Sequence, residues 1–472
     1  MTQAVIFLFE ELVRIAPPKD APMHFDTACV IGGSIAGLMA ARVLSDHARR
    51  VVIIEPDDIP ADTAPRPGVP HGRHVHTLQP AGQQWVERWL PGITWEAQEY
   101  GALLAASDKL VVTFNGVRRA AEGGGHHTLV LGRPLLENLI RKRVVSLSNV
   151  SVLRGRGTGL HYRDGAVSAV TYVATNAEDQ GGNSTRVLEA DFVVDAMGRS
   201  SRLSHWLGRS GYDQPRIERL EAPINYATTV FERPENSADL EAVATVEFFA
   251  PDYPSDGVSI AAATAIEDQQ WLVGFSGYGD NRPGRTIDAL REACTRLNPV
   301  FATATAHAAI GDVATYRQAE SRRRQFTEVS HFPARLVSVG DAVASFNPAY
   351  GQGMSSAALH ASCLASYLAG NPDLGSAARE FFRLQEAVVD AAWTISAEGD
   401  AARLDAQNGT EVPDDVRRKR WAAEQITAAA LVDQDISTAF TNVGFMLRHP
   451  ATLSDPALLE RAAAVNERAA AE

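Results

Sequence analysis

Cysteine is scarce in this chain, and lysine nearly so. Three cysteines in 472 residues, Cys29, Cys294 and Cys363, lie far apart with no C-x-x-C or Cys/His ligand spacing, which excludes a disulfide framework and a structural zinc site. The same scarcity predicts a reduced, cytoplasmic setting. Basic charge is in deficit. With 44 Lys and Arg against 57 Asp and Glu the net charge is -13, so no field draws the chain to nucleic acid. No apolar run approaches the roughly 20 residues of a membrane span. The apolar patch Ala4 to Phe9 has no basic residue ahead of it and stops at Glu10 and Glu11, so it reads as a loose extension or short surface helix rather than an export signal. Missing too is any recognisable Ser-His-Asp or paired-carboxylate arrangement.

What the chain does have is VIGGSIAGL, Val30 to Leu38. A β-type run, Thr27 to Ile31, leads into it. A helix-forming run, Leu38 to Asp46, follows, and a second apolar run, Val51 to Ile54, ends at Glu55. A phosphate-binding turn needs small residues where the chain bends and where backbone approaches a pyrophosphate. The helix start then supplies free N–H groups at the positive end of its dipole. Gly32 and Gly37 stand at the first and third glycine places and Ser34 at the second, beside Gly33, with Ile35 and Ala36 completing the turn. Glu55 stands where an acid binds the ribose hydroxyls of an adenosine. The motif says adenine dinucleotide and leaves NAD and FAD open.

Further along, Arg66, His71, Arg73, His74 and His76 lie in a Pro- and Gly-rich loop. Histidines that bind a metal come with carboxylates or cysteines. Here the neighbours are arginines and prolines, so no metal is expected; Arg66 suits a phosphate and the histidines a pocket wall. Gln83 to Leu90 reads as a helix packing Trp85 on Trp89, and Lys109 to Phe114 as a strand. Leu135, Leu136, Leu139 and Ile140 form a helical stripe with Arg133 at its start, where a cation opposes the dipole unless an anion is near. Ser151 to Val173 reads as strands turning at Asp164-Gly165, and Asn176 to Asn183 as a polar loop tip. The strand Phe192 to Val194 then delivers Asp195 and Gly198 at its end.

From Pro223 to Ser276 the pattern is antiparallel β, with a hairpin turn at Glu267 to Gln270, and a helix follows over Thr286 to Leu297. The strand Leu336 to Val339 ends at Gly340-Asp341. A loop with Pro348 leads to Gly351-Gln352-Gly353-Met354, and a long helix begins near Ser355. The tail from Ser376 is largely helical.

Three pieces thus stand in one order: the dinucleotide turn, Asp195 to Gly198 after a strand, and Gly340-Asp341 followed by Pro348 and Gly351 to Met354. Together they resemble the flavoprotein monooxygenases of the p-hydroxybenzoate hydroxylase fold, over most of the chain up to about residue 375. The resemblance implies an α/β architecture. A discontinuous, Rossmann-like FAD-binding domain would take residues 25–100, 125–215 and 320–375, and an antiparallel β-sheet substrate domain 101–124 and 216–319. A helical C-terminal region would take 376–472, and an N-terminal extension 1–24. It implies FAD as cofactor, with Asp341 on the ribityl chain, the loop Gly351 to Met354 facing the N1–C2=O edge, and Arg66 and Arg133 on the pyrophosphate or ribityl groups. The stretches RPGVPHGRHVH and GDAVASFNPAYGQGMS look closer still to a branch that includes olefin epoxidases of polyether polyketide pathways and dialkyldecalin synthases. Flavin halogenases carry Trp-x-Trp-x-Ile-Pro and a lysine beside the flavin. No two tryptophans here are two apart, and Lys19, Lys109, Lys142 and Lys419 have no such setting.

The reaction the resemblance implies is epoxidation or hydroxylation of a large apolar, polyketide-like intermediate through a flavin C4a-hydroperoxide. Such oxygen transfer needs no protein nucleophile, in keeping with the missing triad. No second phosphate-binding turn offers a stable nicotinamide site, so electrons would come from transiently bound NAD(P)H or a separate flavin reductase. The alternative is a non-redox cyclase that keeps FAD as a wall and closes a [4+2] ring by orientation alone.

Overall fold

The computed structural model describes residues 2–58, 65–120, 123, 125–175, 185–234, 240–250, 253 and 255–471. The loop tip expected at Asn176 to Asn183 lies outside them.

Seven strands form the first sheet, in the order Leu336–Ser338, Phe192–Asp195, Phe25–Ile31, Ala48–Glu55, Val150–Arg163, Ala166–Ala174 and Thr185–Glu189. The first five run parallel, and their central stretches are continuous apolar runs because helices cover both faces. Register brings Ile31 beside both Asp195 and Ile54, and Asp195 beside Ser338. The carboxyl ends of four strands therefore line up along one edge, the place where open α/β sheets bind ligands. The long strand Val150–Arg163 leaves the parallel set and folds back on Ala166–Ala174 through Asp164 and Gly165, both left-handed.

Helix Ile35–Leu44 crosses over this sheet, and Gly353–Ala369 packs against it, buried along nearly its whole length. Small side chains at Ala357, Ala358, Ala361, Cys363 and Ala365 allow that burial.

The second sheet has eight strands in the order Ala344–Ser345, Ala309–Gln325, Arg216–Glu232, Gln270–Tyr278, Ile260–Ile266, Ala244–Phe248, Leu110–Phe114 and Val117–Arg118. All pairs are antiparallel except Ala244–Phe248 with Leu110–Phe114. Period-2 alternation gives the sheet two distinct faces. Ala261, Ala263, Trp271, Val273 and Phe275 turn towards the short helices Ile287–Cys294 and Pro299–Ala304, forming a core with Leu290 and Phe301. The other face carries Tyr226, paired in register with Tyr316 and Ser276, and Thr228. The tiny strand Ala344–Ser345 begins just after Gly340-Asp341, so one turn of chain joins the two sheets at the ligand edge.

Beyond residue 376 the chain is helical, with Arg379–Asn408 the longest helix and a small separate core around Ile426, Ile436 and Ala462. The N-terminal segment differs from a loose extension. Thr2–Arg14 is a helix whose Phe9, Leu12 and Val13 join the main core, because the arginine and tryptophan of Pro80–Trp89 anchor its end. Arg88 Nε and Trp89 Nε1 both donate to the carbonyl of Ile15, at 3.2 and 3.3 Å, and Glu10 pairs with Arg448. Phe9 is fully buried while Phe7 is 62% exposed. Replacing Phe9 by Ala is therefore expected to cost about 3–5 kcal/mol in a urea unfolding series, and Phe7→Ala less than about 0.5 kcal/mol. Equal losses would show that this helix is not part of the core.

Candidate functional site

The turn after Phe25–Ile31 is built on absent side chains. Gly32 has φ +110°, and a Cβ there would strike the carbonyl of Ala196; one on Gly37 would strike the carbonyl of Gly32. Ser34 occupies the N-cap of Ile35–Leu44 but makes no capping bond, so the first N–H groups of this helix have no side-chain partner. Ile35 is buried beneath, and Ala36 packs on Gly340, where an added Cβ would stand 2.6 Å from that of Ala36.

Glu55 lies behind the turn. Its Oε2 accepts the Gly33 N–H at 2.7 Å, and its Oε1 accepts the Asp57 N–H at 2.9 Å and Arg66 Nη1 at 3.1 Å. Arg66 also donates to Asp57 at 2.7 Å and through Nε to Glu137 at 2.6 Å. Glu137 is the hub that sequence reasoning missed. It further accepts Ser34 Oγ at 2.9 Å and Arg141 at 2.9 Å, and lies 3.7 Å from Arg133. Burial works against its charge, but Arg66, Arg133 and Arg141 outweigh it and hold the carboxyl below its usual range. The signal was available: Arg133, Glu137 and Arg141 stand four apart, on one face of the helix Arg133–Val145.

On the other side stands Asp341. Burial raises its carboxyl above the usual range, against the pull of Arg133, Arg199 and Arg322. The preceding Gly340 has φ +61°, and its N–H donates to Nδ1 of His360 at 2.9 Å. His360 is fully buried, and burial alone pushes it down to about 3, so it stays neutral and accepts that bond permanently.

Residues 347–354 complete the edge. Pro348–Tyr350 forms a single helical turn ending at left-handed Gly351. Gly353–Ala369 then starts with no side-chain cap, and a Cβ on Gly353 would meet nothing. Met354 is buried at this start.

Opposite, the histidine loop lies on the polar face of the second sheet. His74 Nδ1 bonds Thr228 Oγ1 at 2.8 Å, and its ring packs 5.8 Å from those of both Tyr226 and Tyr316. His71 packs 5.9 Å from Tyr316. Burial, helped by Arg133, pushes His71 down to about 3; burial and then Arg73 push His74 down to about 4; His76 is lowered too, by burial first. This wall offers no protonated imidazole near neutral pH.

Residues 26–381 match the family model described as "FAD binding domain". The chain belongs to that family. It is 34% identical over 399 residues to "Protein Rv3254" of Mycobacterium tuberculosis, covering 82% of this chain and 81% of that protein. Its fold is that of the flavin-dependent brominase Bmp2 (TM-score 0.64, 14% identity, 94% of this chain and 100% of that one). It also matches p-nitrophenol 4-monooxygenase PnpA from Pseudomonas putida (TM-score 0.61, 17% identity, 90% and 99%). At such identities these likenesses speak for the fold alone.

The site fits FAD by what it leaves unsatisfied. Arg133 Nε is buried without a partner, and so are both ends of the Gln352 amide, a residue 1% exposed. Two uncapped helix starts face the same edge as these donors. An anionic, hydrogen-bonding nucleotide answers all of them.

Two candidate cofactor-binding residues, Asp195 and Arg66, are held by partners within the chain. Asp195 is buried, and its oxygens accept the Met197 N–H at 3.1 Å, Ser201 Oγ at 2.7 Å and Ser338 Oγ at 3.0 Å. It ties neighbouring strand ends together; Gly198 beside it is left-handed with open space around it. Arg66 is likewise held by Glu55, Asp57 and Glu137, at the end of the site where the adenosine ribose was expected. Among the described residues no group of His, Cys, Asp or Glu could hold a metal ion, and no helix is long and apolar enough to cross a membrane.

The neutral histidines carry a pH signature. Below the ordinary value of 6.5 the unfolded chain takes up protons on His74 and His360, while the folded protein refuses them until about 4 and 3. Stability therefore falls as pH drops through that window, by about 1.4 kcal/mol per pH unit for each such histidine. His360→Asn keeps an acceptor for Gly340 but removes one of these protons. Its stability, measured in urea between pH 7 and 4.5, is expected to fall less steeply than that of the wild type. Identical slopes would mean that His360 titrates normally.

Proposed function

We propose that this protein is an FAD-dependent monooxygenase that epoxidises or hydroxylates a largely apolar intermediate, of the polyketide-like kind its motifs resemble. The observation that carries this reading is the pairing of an edge with unsatisfied buried polar groups and an aromatic wall of His71, His74, Tyr226 and Tyr316 whose imidazoles burial keeps neutral.

Bound FAD, once reduced, supplies the activation of oxygen; the chain supplies everything around it. Arg133 and the helix start at Ile35 would hold its phosphates, and Asp341, positioned by His360 through Gly340, would accept hydroxyls of the ribityl chain. The N–H groups at Gly353 and Met354, at an uncapped helix start, would favour negative charge on a group held beside them. His71, His74 and His76, kept neutral by burial, would offer no stray proton at this wall, and the rings of Tyr226 and Tyr316 would limit water beside it.

A cluster of arginines supports NAD(P)H, in preference to a partner reductase, as the source of electrons. Arg199 and Arg322 stand close enough to Asp341 to pull on its carboxyl, and Arg219 and Arg324 lie beside them; Glu320 is 2.6 Å from Arg219 and 3.8 Å from Arg322, and Asp195 faces Arg324. Burial, then Arg199 and Arg324, push Arg322 below the usual guanidinium range. The Nε atoms of Arg322 and Arg324 are buried without partners. Like charges brought together at this expense favour a transient polyanion such as a dinucleotide pyrophosphate. A non-redox [4+2] cyclase would have no use for that cluster.

Incubation of the purified protein with substrate and oxidised FAD, without NAD(P)H and without oxygen, is expected to give no product; a cyclised product lacking a new oxygen atom would replace this reading with the cyclase. Arg322→Gln is expected to raise KM for NAD(P)H about tenfold or more while FAD stays bound, as steady-state kinetics with an absorbance check of flavin content will show. An unchanged KM would remove the arginine cluster from the argument.

A further inference from the structure

The chain after residue 381 lies beyond the matched FAD domain, yet one of its side chains reaches the turn that leads into the uncapped start of Gly353–Ala369. We propose that Asp400, on the helix Arg379–Asn408, is a positioning residue that fixes residues 347–350 and thereby aims the flavin-facing N–H groups that follow. This rests on the reading above that residues 351–354 border FAD.

Asp400 is fully buried in mid-helix. Its carboxylate accepts Asn347 Nδ2 at both oxygens, 3.1 and 2.8 Å, and the Tyr350 hydroxyl at 3.4 Å. Asn347 is itself the cap of the turn, its Oδ1 accepting the Ala349 N–H at 3.0 Å, and its Nδ2 also reaches the Tyr278 hydroxyl at 3.1 Å on the second sheet. One amide thus holds the turn, the sheet and the C-terminal helix together.

The helix is shaped for this contact. Gly399 lies in its interior, where glycine costs about 1 kcal/mol relative to alanine. A Cβ there would strike the Tyr350 hydroxyl, so the residue beside Asp400 is bare where Tyr350 enters. Arg403, one turn on, lies with its guanidinium 3.5 Å from the centre of the Tyr278 ring and supplies the compensating charge without forming an ion pair with Asp400. Burial raises the Asp400 carboxyl above its usual range, opposed by Asn347 and Arg403. Polar burial of this extent lowers stability unless every group is matched, which a purely space-filling contact would avoid. Three of the matched groups, Asn347, Ala349 and Tyr350, belong to the turn itself. On the far side Gln318 Nε2 donates to the Phe346 carbonyl at 2.7 Å, so the segment is gripped from both flanks.

The test exchanges donor and acceptor in the full chain. Asp400→Asn faces two amides, and Asn347→Asp faces two carboxylates. Each single variant is expected to weaken FAD binding about tenfold or more and to shift the bound flavin's absorbance bands and midpoint potential. The double variant Asn347→Asp/Asp400→Asn restores one donor opposite one acceptor. It is expected to return FAD affinity to within about threefold of the wild type, with the spectrum restored.

Singles that bind FAD with wild-type affinity and spectrum, or a folded double variant no better than the singles, overturn the proposal. If the singles do not fold, Tyr350→Phe decides, since it removes one hydroxyl and no charge: a shifted flavin spectrum at unchanged melting temperature supports the clamp, and an unshifted spectrum overturns it. Arg133→Met separates this from the underlying reading. Weakened FAD binding there beside unaffected Asp400 variants defeats the clamp alone, whereas unweakened binding in Arg133→Met defeats the placement of the cofactor itself.

Discussion

The site depends on how closely three backbone turns approach one another. Gly37 lies against the carbonyl of Gly32, Gly32 against that of Ala196, and Gly340 against the Cβ of Ala36. These contacts join chain segments about residues 32, 196 and 340, which register has already set side by side at the ends of their strands. In a close-packed interior a single methyl at any of them has nowhere to go. Move one turn outward and the uncapped helix start, the Asp341 carboxylate and the partnerless Arg133 Nε no longer lie along one edge.

Charge is handled differently on the two sides of this junction. Around Glu55 and Glu137 every carboxylate is matched to an arginine or backbone N–H, so the far end of the turn is rigid and its ionic groups are held in place. Around Asp341 the balance is left open, with arginine nitrogens buried and unmatched. A matched network positions, and an unmatched one receives. The histidine and tyrosine wall adds a third condition, polar tips without mobile protons, because burial keeps the imidazoles neutral. The second sheet provides that wall because its alternation separates an apolar face, turned to its own helices, from a face of Tyr226, Thr228 and Tyr316.

Much of this was legible in the chain. The run Val30 to Leu38 gave the turn, its helix and the following strand, and Gly340-Asp341 with Gly351 to Met354 gave the opposite edge, because bends and close approaches leave few residue choices. The strands read between Pro223 and Ser276 followed from alternation and from the turn at Asp268 and Gln269, both left-handed in place, whereas the long strand Ala309–Gln325, polar and little buried, was not read. Roles of long side chains did not follow. Arg66 was legible as an anion-binding arginine, but which anion it meets depends on Glu55, Asp57 and Glu137 arriving from three segments. Asp195 announced a strand end, and only the neighbouring strand, carrying Ser338, and the turn holding Ser201 show where its oxygens point. The first helix looked peripheral because its partners, Arg88, Trp89 and Arg448, are distant in sequence.

By itself, then, the order of residues determined the local elements and the nucleotide-binding edge, since those rest on short-range geometry: period, turn conformation and the steric room a glycine leaves. Tertiary structure alone decided which charges are satisfied and which are left open, because matching is a property of groups brought within about 3 Å from far along the chain. That Glu137 became a hub, that His360 took the Gly340 N–H, and that Asp400 came to lie beside Asn347 all belong to this second class.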